Sequence, residues 1–291
     1  MKLFVRDLTV IDCSLLCERR GMVGQSWLVD LEMGGDLNEM SMIFDFGRVK
    51  KTIKGLIDKE VDHRLLVPTR TGASRIELQD SGNFWVDFDS QPGSIHLNCP
   101  EQAYVFVDTD KIDAESLEQH LLNLVRQALP DNVQSVRLTL RQEKIEGASY
   151  HYSHGLKKHD GNCQRIAHGH RSAIEISVDG ERDQALEQSW ADRWQDIYLA
   201  SEEDQVAADA VSFSAHGLAQ LGNDHDCFRY RVSQGLFELA LPKQGVELID
   251  SDTTVELLAD YIAHKLKPEV GDKVLEVRAF EGPGKGAIVV S

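Results

Sequence analysis

Two stretches of the chain repeat the same order of polar and apolar positions. Each has an acidic segment, then apolar residues at helical spacing, and then a strand-like run, which together predict a capped amphipathic helix followed by a strand. The two copies lie about half a chain apart, so we predict a tandem duplication with units at residues 1–145 and 146–291. The repeated ranges are 108–110, 117–125 and 136–140 in the first copy, and 250–252, 255–266 and 274–280 in the second.

Strand signals open each predicted unit. Residues 27–33 partly alternate between apolar and polar, and residues 173–178 alternate more cleanly. In the first unit, residues 48–61 place their apolar side chains on one helical face, and residues 75–107 are rich in strand formers. Because strands and helices are segregated rather than alternating, the pattern predicts an α+β fold for each unit.

Composition and charge exclude several classes of function. The net charge of -17 argues against nucleic-acid binding, because a phosphate backbone requires a basic surface. No apolar run approaches the roughly 18–20 residues of a membrane span, and charged residues interrupt the N-terminus where a secretory signal needs an apolar run. The five cysteines are scattered, as is typical of reduced thiols. We therefore expect a cytoplasmic protein that binds neither nucleic acid nor a membrane.

A group of five histidines within twenty residues carries the densest chemistry of the chain. His168 and His170 are two positions apart at the start of a predicted strand, so both side chains point to the same face. His154, in an earlier strand-like segment, could supply a third nitrogen. Three protein ligands and one open position are the pattern of catalytic zinc. The sequence thus predicts zinc on these three residues, with His151 and His159 as non-ligands.

Several motifs resemble those of the 6-pyruvoyl-tetrahydropterin synthase family, which includes 6-carboxy-tetrahydropterin synthase of queuosine biosynthesis. In the second unit, an aromatic-x-His-x-Leu segment ends at 154–156 and is followed by Cys163 and by the His-Gly-His of 168–170. In the first unit, residues 42–47 fit the family's Met-x-x-Asp-Phe-Gly stretch, and residues 61–66 fit its Asp-His stretch. The resemblance covers most of the chain, but its motifs are divided between the two units.

The resemblance implies a fold, an assembly and a substrate. It implies two tunnelling-fold (T-fold) units, each an antiparallel sheet with helices on one face, that assemble into a barrel and therefore a homo-oligomer. It implies a zinc cofactor and a small-molecule pterin triphosphate substrate. It also implies that Cys163 is the general base, that Asp62 and His63 form a proton relay, and that Glu281 and Thr254 bind the pterin.

The two units have kept different parts of this motif set. Ser14, Val23 and Gln25 stand where the second unit has its three metal-binding histidines. Conversely, no counterpart of the first unit's Asp-His helix is recognisable in the second, where the pair Asp224–His225 is displaced by an insertion. The resemblance then implies a composite site, in which the second unit supplies zinc and the first supplies Asp62 and His63. The alternative is that Asp224 and His225 complete the site.

Two functions from different classes remain open at this point. The first is a lyase that converts 7,8-dihydroneopterin triphosphate to a 6-carboxy- or 6-pyruvoyl-tetrahydropterin. The second is a zinc-stabilised pterin-binding or assembly protein without turnover. Four basic residues near the histidines would suit a polyphosphate substrate, although a solvated loop explains them equally well: Lys157, Lys158, Arg165 and Arg171.

Overall fold

The fold is known from a computed structural model that describes residues 1–159, 161 and 166–291. The elements of the first half are β1 (Lys2–Cys17), β2 (Gly21–Gly35), α1 (Phe46–Val49), a π-helical turn (Lys50–Lys54), α2 (Gly55–Glu60), β3 (Leu65–Pro68), β4 (Ser74–Leu78), β5 (Asn83–Phe88), β6 (Ile95–Pro100), β7 (Tyr104–Val107), α3 (Ala114–Gln127) and β8 (Val133–Arg141). The elements of the second half are β9 (Ser149–His154), β10 (His168–Val178), β11 (Glu181–Arg182), α4 (Gln184–Arg193), β12 (Ile197–Ser201), β13 (Gln205–Val206), α5 (Ala215–Gln220), β14 (His225–Val232), β15 (Gly235–Pro242), β16 (Val246–Ile249), α6 (Val255–Val270), β17 (Leu275–Phe280) and β18 (Gly286–Val290).

The first half builds a five-stranded sheet in the order β7-β3-β1-β2-β8. Strands β1, β2 and β8 pair antiparallel, and β3 and β7 add to the β1 edge in parallel. Helix α3, which begins with a capping box at Asp113, packs its apolar face on this sheet. Leu121 and Val125 of that helix are fully buried with Val29 of β2. Burying each such side chain contributes roughly 1.5–3 kcal/mol, so this face holds the first half together.

The second half repeats this arrangement. Its sheet has the order β16-β12-β9-β10-β17-β18, with the short β11 pairing with β10. Here β9, β10 and β17 are antiparallel, and β12 and β16 are added in parallel beside β9. Helices α4 and α6 cover one face, with Trp190, Trp194 and Ile262 buried against the strands. Strand by strand, β9, β10 and β17 therefore correspond to β1, β2 and β8.

A third sheet joins the two halves. Each half carries three extra strands between its two parallel edge strands, and together they form a six-stranded sheet in the order β13-β14-β15-β6-β5-β4. Its centre is the antiparallel pair β6–β15, in which Leu97 lies opposite Leu239. Both side chains are buried in a core that contains residues from both halves. The two halves are thus tied by backbone pairing as well as by side-chain packing.

The two core sheets also meet directly, where the β1–β2 hairpin packs on the β9–β10 hairpin. Gly24 and Gly169 lie at the contact, and a Cβ atom on Gly169 would stand 2.7 Å from the Cα of Gly24. Ser14 is bound on both sides, with its backbone N–H donating to Ala167 O at 3.1 Å and its hydroxyl 2.7 Å from that of Ser153. Glycine is required here because the backbones approach too closely for side chains. This contact brings the first half against the predicted metal ligands.

The α+β prediction and the two repeated units are confirmed. The amphipathic segment predicted over 48–61 is helical from Phe46 to Glu60, with a π turn inside it. No counterpart of the first unit's Asp-His helix was recognisable in the second, but the structure has a helix in that place, α4, which begins at the cap Asp183. No helix of the described residues is long and apolar enough to cross a membrane. The seam between residues 145 and 146, the barrel assembly and the homo-oligomer remain predictions.

Candidate metal and catalytic site

Three histidines converge where β9 pairs with β10. His154 lies directly opposite His168, and His170 is two residues further along, so strand alternation places all three on one face. The ring centroids of His168 and His170 are 4.3 Å apart, those of His154 and His168 are 4.9 Å apart, and those of His154 and His170 are 5.5 Å apart. None of the three side chains is more than 1% exposed. The predicted metal ligands are therefore brought together.

Of the six ring nitrogens in this triad, only Nδ1 of His154 has a hydrogen-bond partner among the described residues. The Nδ1 of His154 lies 2.9 Å from Thr253 O, and because a carbonyl only accepts, Nδ1 carries the proton and Nε2 keeps its lone pair. That Nε2 and both ring nitrogens of His168 and His170 make no hydrogen bond with the described residues. Burial lowers the pKa of His154 and His168 well below the usual value, which favours the neutral, ligating form. Buried nitrogens without partners are costly, and a bound ion would remove that cost.

Glu281 completes this group as a carboxylate at the end of β17. Its Oε1 lies 3.7 Å from His170 Nε2, and one ligand atom from each of the four residues lies within 4.8 Å of the others. A tight turn holds it, with the Glu281 N–H donating to Lys285 O at 3.0 Å. The next residue, Gly282, has a φ of +70°, and a Cβ atom there would stand 2.6 Å from Asp12 Oδ1. The described residues thus offer a His₃–Glu set that could hold a metal.

Asp62 and His63 reach this site from the first half. The His63 ring packs edge-on against the ring of His168, with centroids 4.1 Å apart. Its Nδ1 lies 3.3 Å from Asp62 Oδ2, and its backbone, held at a φ of +58°, donates to Asp12 O at 2.8 Å. Burial, together with the nearby charge of Asp12, raises the pKa of Asp62 to about 7. An Asp-His pair beside a candidate metal site, with a carboxyl whose pKa lies near 7, is an arrangement that can move protons.

The site contains one residue that the sequence did not reveal, Asp12 of β1. It is buried, and its Oδ1 lies 3.2 Å from His170 Nδ1 while accepting from the Ser26 hydroxyl at 2.5 Å. Its Oδ2 lies 3.4 Å from the Lys285 ammonium. Burial alone would raise the pKa of Asp12, but these three neighbours together lower it to about 2. Its partners are far away in the sequence, so only a buried acid among the apolar positions of β1 could have drawn attention to it.

The remaining predicted residues fall in three different places. Cys163 lies outside the described residues. Thr254 is the N-cap residue of α6 without a side-chain capping bond, and its neighbour Thr253 is the residue that contacts His154. His225 lies on the six-stranded sheet, where its Nε2 is 3.0 Å from Ser94 O. The structure therefore brings Asp62 and His63 to the histidine triad, and it places His225 in a separate polar cluster.

Three of the four basic residues near the triad are paired, and the fourth, Arg165, lies outside the described residues. Lys157 contacts the carboxylates of Glu203 at 2.5 Å and Asp204 at 2.6 Å, and Lys158 contacts Asp252 at 2.8 Å. The Arg171 guanidinium donates to a backbone carbonyl, that of Glu143. These pairings favour a structural role over a free anion-binding loop. Among the residues that the structure describes, Lys285 is a cation that faces the site itself, and its side chain is 54% exposed.

Comparison with known proteins identifies the family. The family model of 6-pyruvoyl tetrahydropterin synthase matches the chain twice, over residues 17–151 and 144–291. Together the two matches cover nearly the whole chain, so it belongs to the 6-pyruvoyl tetrahydropterin synthase family as a tandem-duplicated member.

Individual relatives are distant. A Pyrococcus horikoshii protein named for 6-carboxy-5,6,7,8-tetrahydropterin synthase activity, an assignment its name marks as provisional, is 24% identical over 120 residues, which are 41% of this chain and 68% of that protein. A Pyrococcus abyssi protein with the same name is 24% identical over 124 residues, which are 43% of this chain and 70% of that protein. The solved Plasmodium vivax 6-pyruvoyl tetrahydropterin synthase has 17% identity and a TM-score of 0.41, covering 50% of this chain and 93% of that one. The Plasmodium falciparum enzyme has 16% identity and a TM-score of 0.39, covering 48% and 90%.

Proposed function

We propose that the chain is a zinc-dependent lyase of the 6-carboxy- or 6-pyruvoyl-tetrahydropterin synthase type, acting on 7,8-dihydroneopterin triphosphate at one composite site. The observation that carries this proposal is the contact between the rings of His63 and His168, which come from different halves. It places an Asp-His pair beside three buried imidazoles whose Nε2 atoms have no hydrogen-bond partner among the described residues. Family membership supplies the reaction class.

The metal site would use His154, His168 and His170. Three neutral imidazoles suit zinc, and the site fits it because the lone pairs of a buried triad have nothing else to bind among the described residues. Bound there, zinc would polarise oxygen substituents on the side chain of the pterin and make them easier to deprotonate.

The protein side chains would bind the ring and move the protons. Glu281 would accept two N–H donors of the pterin ring, a task for which a carboxylate is stronger than a neutral acceptor. His63 would exchange a proton with the substrate, while Asp62, 3.3 Å from its Nδ1, fixes the ring orientation and tautomer. Cys163 is proposed as the general base on the resemblance of its sequence position. Thr254 is proposed to assist pterin binding on the same ground.

A turnover assay tests the proposal. Protein reconstituted with one equivalent of zinc is incubated with 7,8-dihydroneopterin triphosphate, and the products are separated by chromatography and identified by mass. The expected result is a 6-carboxy- or 6-pyruvoyl-tetrahydropterin with release of triphosphate, abolished by a chelator and restored by zinc. Saturable binding of the pterin without any product would instead support the second function, a zinc-stabilised pterin-binding or assembly protein.

A further inference from the structure

Asp12 belongs to the half of the chain that has lost its own metal ligands, yet it lies under a ligand of the other half. Its carboxylate Oδ1 is 3.2 Å from His170 Nδ1, the ring nitrogen on the side away from Glu281. The contact is an ion pair, and no described residue forms a hydrogen bond with that nitrogen. Both residues are buried, Asp12 at 3% and His170 at 0% exposure, so water does not compete for the contact.

The position of Asp12 is fixed from several directions. Its Oδ1 accepts from the Ser26 hydroxyl at 2.5 Å, and its Oδ2 faces the Lys285 ammonium at 3.4 Å. Its backbone is held as firmly, because its N–H donates to Asp62 Oδ1 at 2.8 Å and its carbonyl accepts from the His63 N–H at 2.8 Å. Asp12 therefore contacts His170, a proposed metal ligand, through its side chain, and it contacts Asp62 and His63 through its backbone.

A carboxylate beside the non-ligating nitrogen of a histidine has a defined effect on a metal. Because a carboxylate only accepts, it keeps the proton on Nδ1 and directs the Nε2 lone pair to the ion. It also fixes the ring orientation and makes the ligand more basic. Loss of such a partner typically weakens metal binding by about 10–100-fold.

We propose that Asp12 is a positioning residue that acts across the two halves, holding His170 in the ligating tautomer and orientation and linking the metal centre to Asp62 and His63. The inference rests on the proposed metal site. It explains what the first half contributes to metal binding although it supplies none of the three histidines. It draws on both halves, because Asp12 lies on β1 and His170 on β10.

Replacement of the carboxylate by an amide of the same shape tests this. Zinc affinity is measured by competition with a chromogenic chelator for the full-length wild type and for Asp12→Asn. The expected result is a dissociation constant about 10–100-fold higher in the variant, with the cobalt-substituted absorption spectrum also altered. An unchanged affinity and spectrum in a folded Asp12→Asn protein would overturn the inference. A wild type that binds no zinc would instead overturn the proposed metal site.

The chain offers a matched control in the other buried Asp-His pair. Asp87 Oδ1 lies 2.7 Å from His96 Nδ1 on the six-stranded sheet, and both residues are buried. Asp87→Asn also weakens a buried carboxylate–histidine pair, so it reports the general cost of such a change. Its zinc affinity should match that of the wild type. An equal loss of affinity in both variants would show a structural effect and would contradict the inference.

A second measurement needs no variant and so survives a failure of Asp12→Asn to fold. In zinc-loaded wild type labelled with ¹⁵N-histidine, ring nitrogen shifts report which nitrogen of His170 carries the proton. The expected result is a protonated Nδ1 and a metal-bound Nε2. A metal-bound Nδ1 would overturn the assignment of Asp12.

Discussion

The two halves share one fold but differ in what their central hairpins carry. The second half has three buried histidines on β9 and β10, with His154 opposite His168, whereas the corresponding hairpin of the first half has Leu15 opposite Val23 and Cys13 opposite Gln25. The first half in turn carries Asp62 and His63 after its helix, and these reach the histidines of the second half. A duplicated chain can thus divide one site between two copies, since each copy only has to keep the residues that face the shared contact.

Ser14 illustrates the same difference at the level of packing. It bonds to Ala167 and Ser153 of the second half. It lies opposite Gly24 on the face of the β1–β2 hairpin that points to the other sheet, whereas Leu15, opposite Val23, matches His154 opposite His168. The first half therefore packs directly against the candidate metal site. Changes to either half should affect the site, but in different ways.

The largest expected effect is the loss of the metal on removal of a ligand. His168→Ala should reduce the zinc content from about one ion per chain to almost none, because two histidines hold zinc far less well than three. The measurement is elemental analysis after dialysis against a weak chelator. His96→Ala, which removes a buried histidine outside this site, is the control and should retain the zinc. Retention of a full equivalent by His168→Ala would show that the triad is not the metal site.

Removal of the His63 side chain should lower turnover without affecting metal binding. His63→Ala is expected to lower turnover by roughly 10²–10⁴-fold, the usual contribution of a general acid–base group, without changing the zinc content. The readout is kcat together with elemental analysis. His225→Ala is the matched control, since His225 lies on the other sheet and should leave kcat unchanged. The reverse pattern, with His225 essential and His63 dispensable, would assign the role to Asp224 and His225.

The next largest effect is a loss of stability when the β1–β2 hairpin is forced away from the β9–β10 hairpin. A Cβ atom on Gly24 would collide with the backbone carbonyl of Tyr152, so Gly24→Ala should lower the free energy of unfolding by about 3 kcal/mol. The midpoint in a urea titration measures this. Gly55→Ala is the control, because a Cβ atom there meets nothing within 4 Å and helical alanine is favoured. Equal stability of the two variants would contradict the close contact between the sheets.

The smallest expected effect concerns pH and Asp62. Its pKa of about 7 in the folded protein lies above the unfolded value near 3.8, so the folded state holds the proton more tightly. The stability that this provides is complete below about pH 4 and is lost as the pH rises through about 7. Metal-free wild type should therefore lose about 2.5 kcal/mol relative to Asp62→Asn between pH 5 and pH 8. Urea titrations at both pH values measure the difference, and a constant difference would argue against a buried, titrating Asp62.

The sequence predicted the parts of this molecule that are local. Periodicity within short segments predicted three features. They are the placement of His168 and His170 on one face of a strand, the helix before Asp62, and the repeat of helix and strand in each half. Family resemblance added Glu281, which does lie beside the triad.

What the sequence could not predict depends on contacts between distant segments. Residues 75–107 were expected to form strands, but the pairing of β6 with β15 across the two halves carries no local signal. Asp12 was missed for the same reason, since its partners His170 and Lys285 come from the other half. The spacing of Trp190 and Trp194 did indicate a packed helix in this region, but the start of α4 at Asp183 and the burial of Glu187 depend on contacts with other segments.

The central claim is that one metal centre per chain is formed by the second half and completed by the first. Crystals of zinc-reconstituted protein, with anomalous diffraction measured on both sides of the zinc absorption edge, test it most directly. The account predicts one anomalous peak per chain, bonded to His154, His168 and His170, with the ring of His63 still packed on His168. A peak beside Ser14 and Gln25, a second peak of equal height, or a zinc ion with His63 far from it would contradict the composite site.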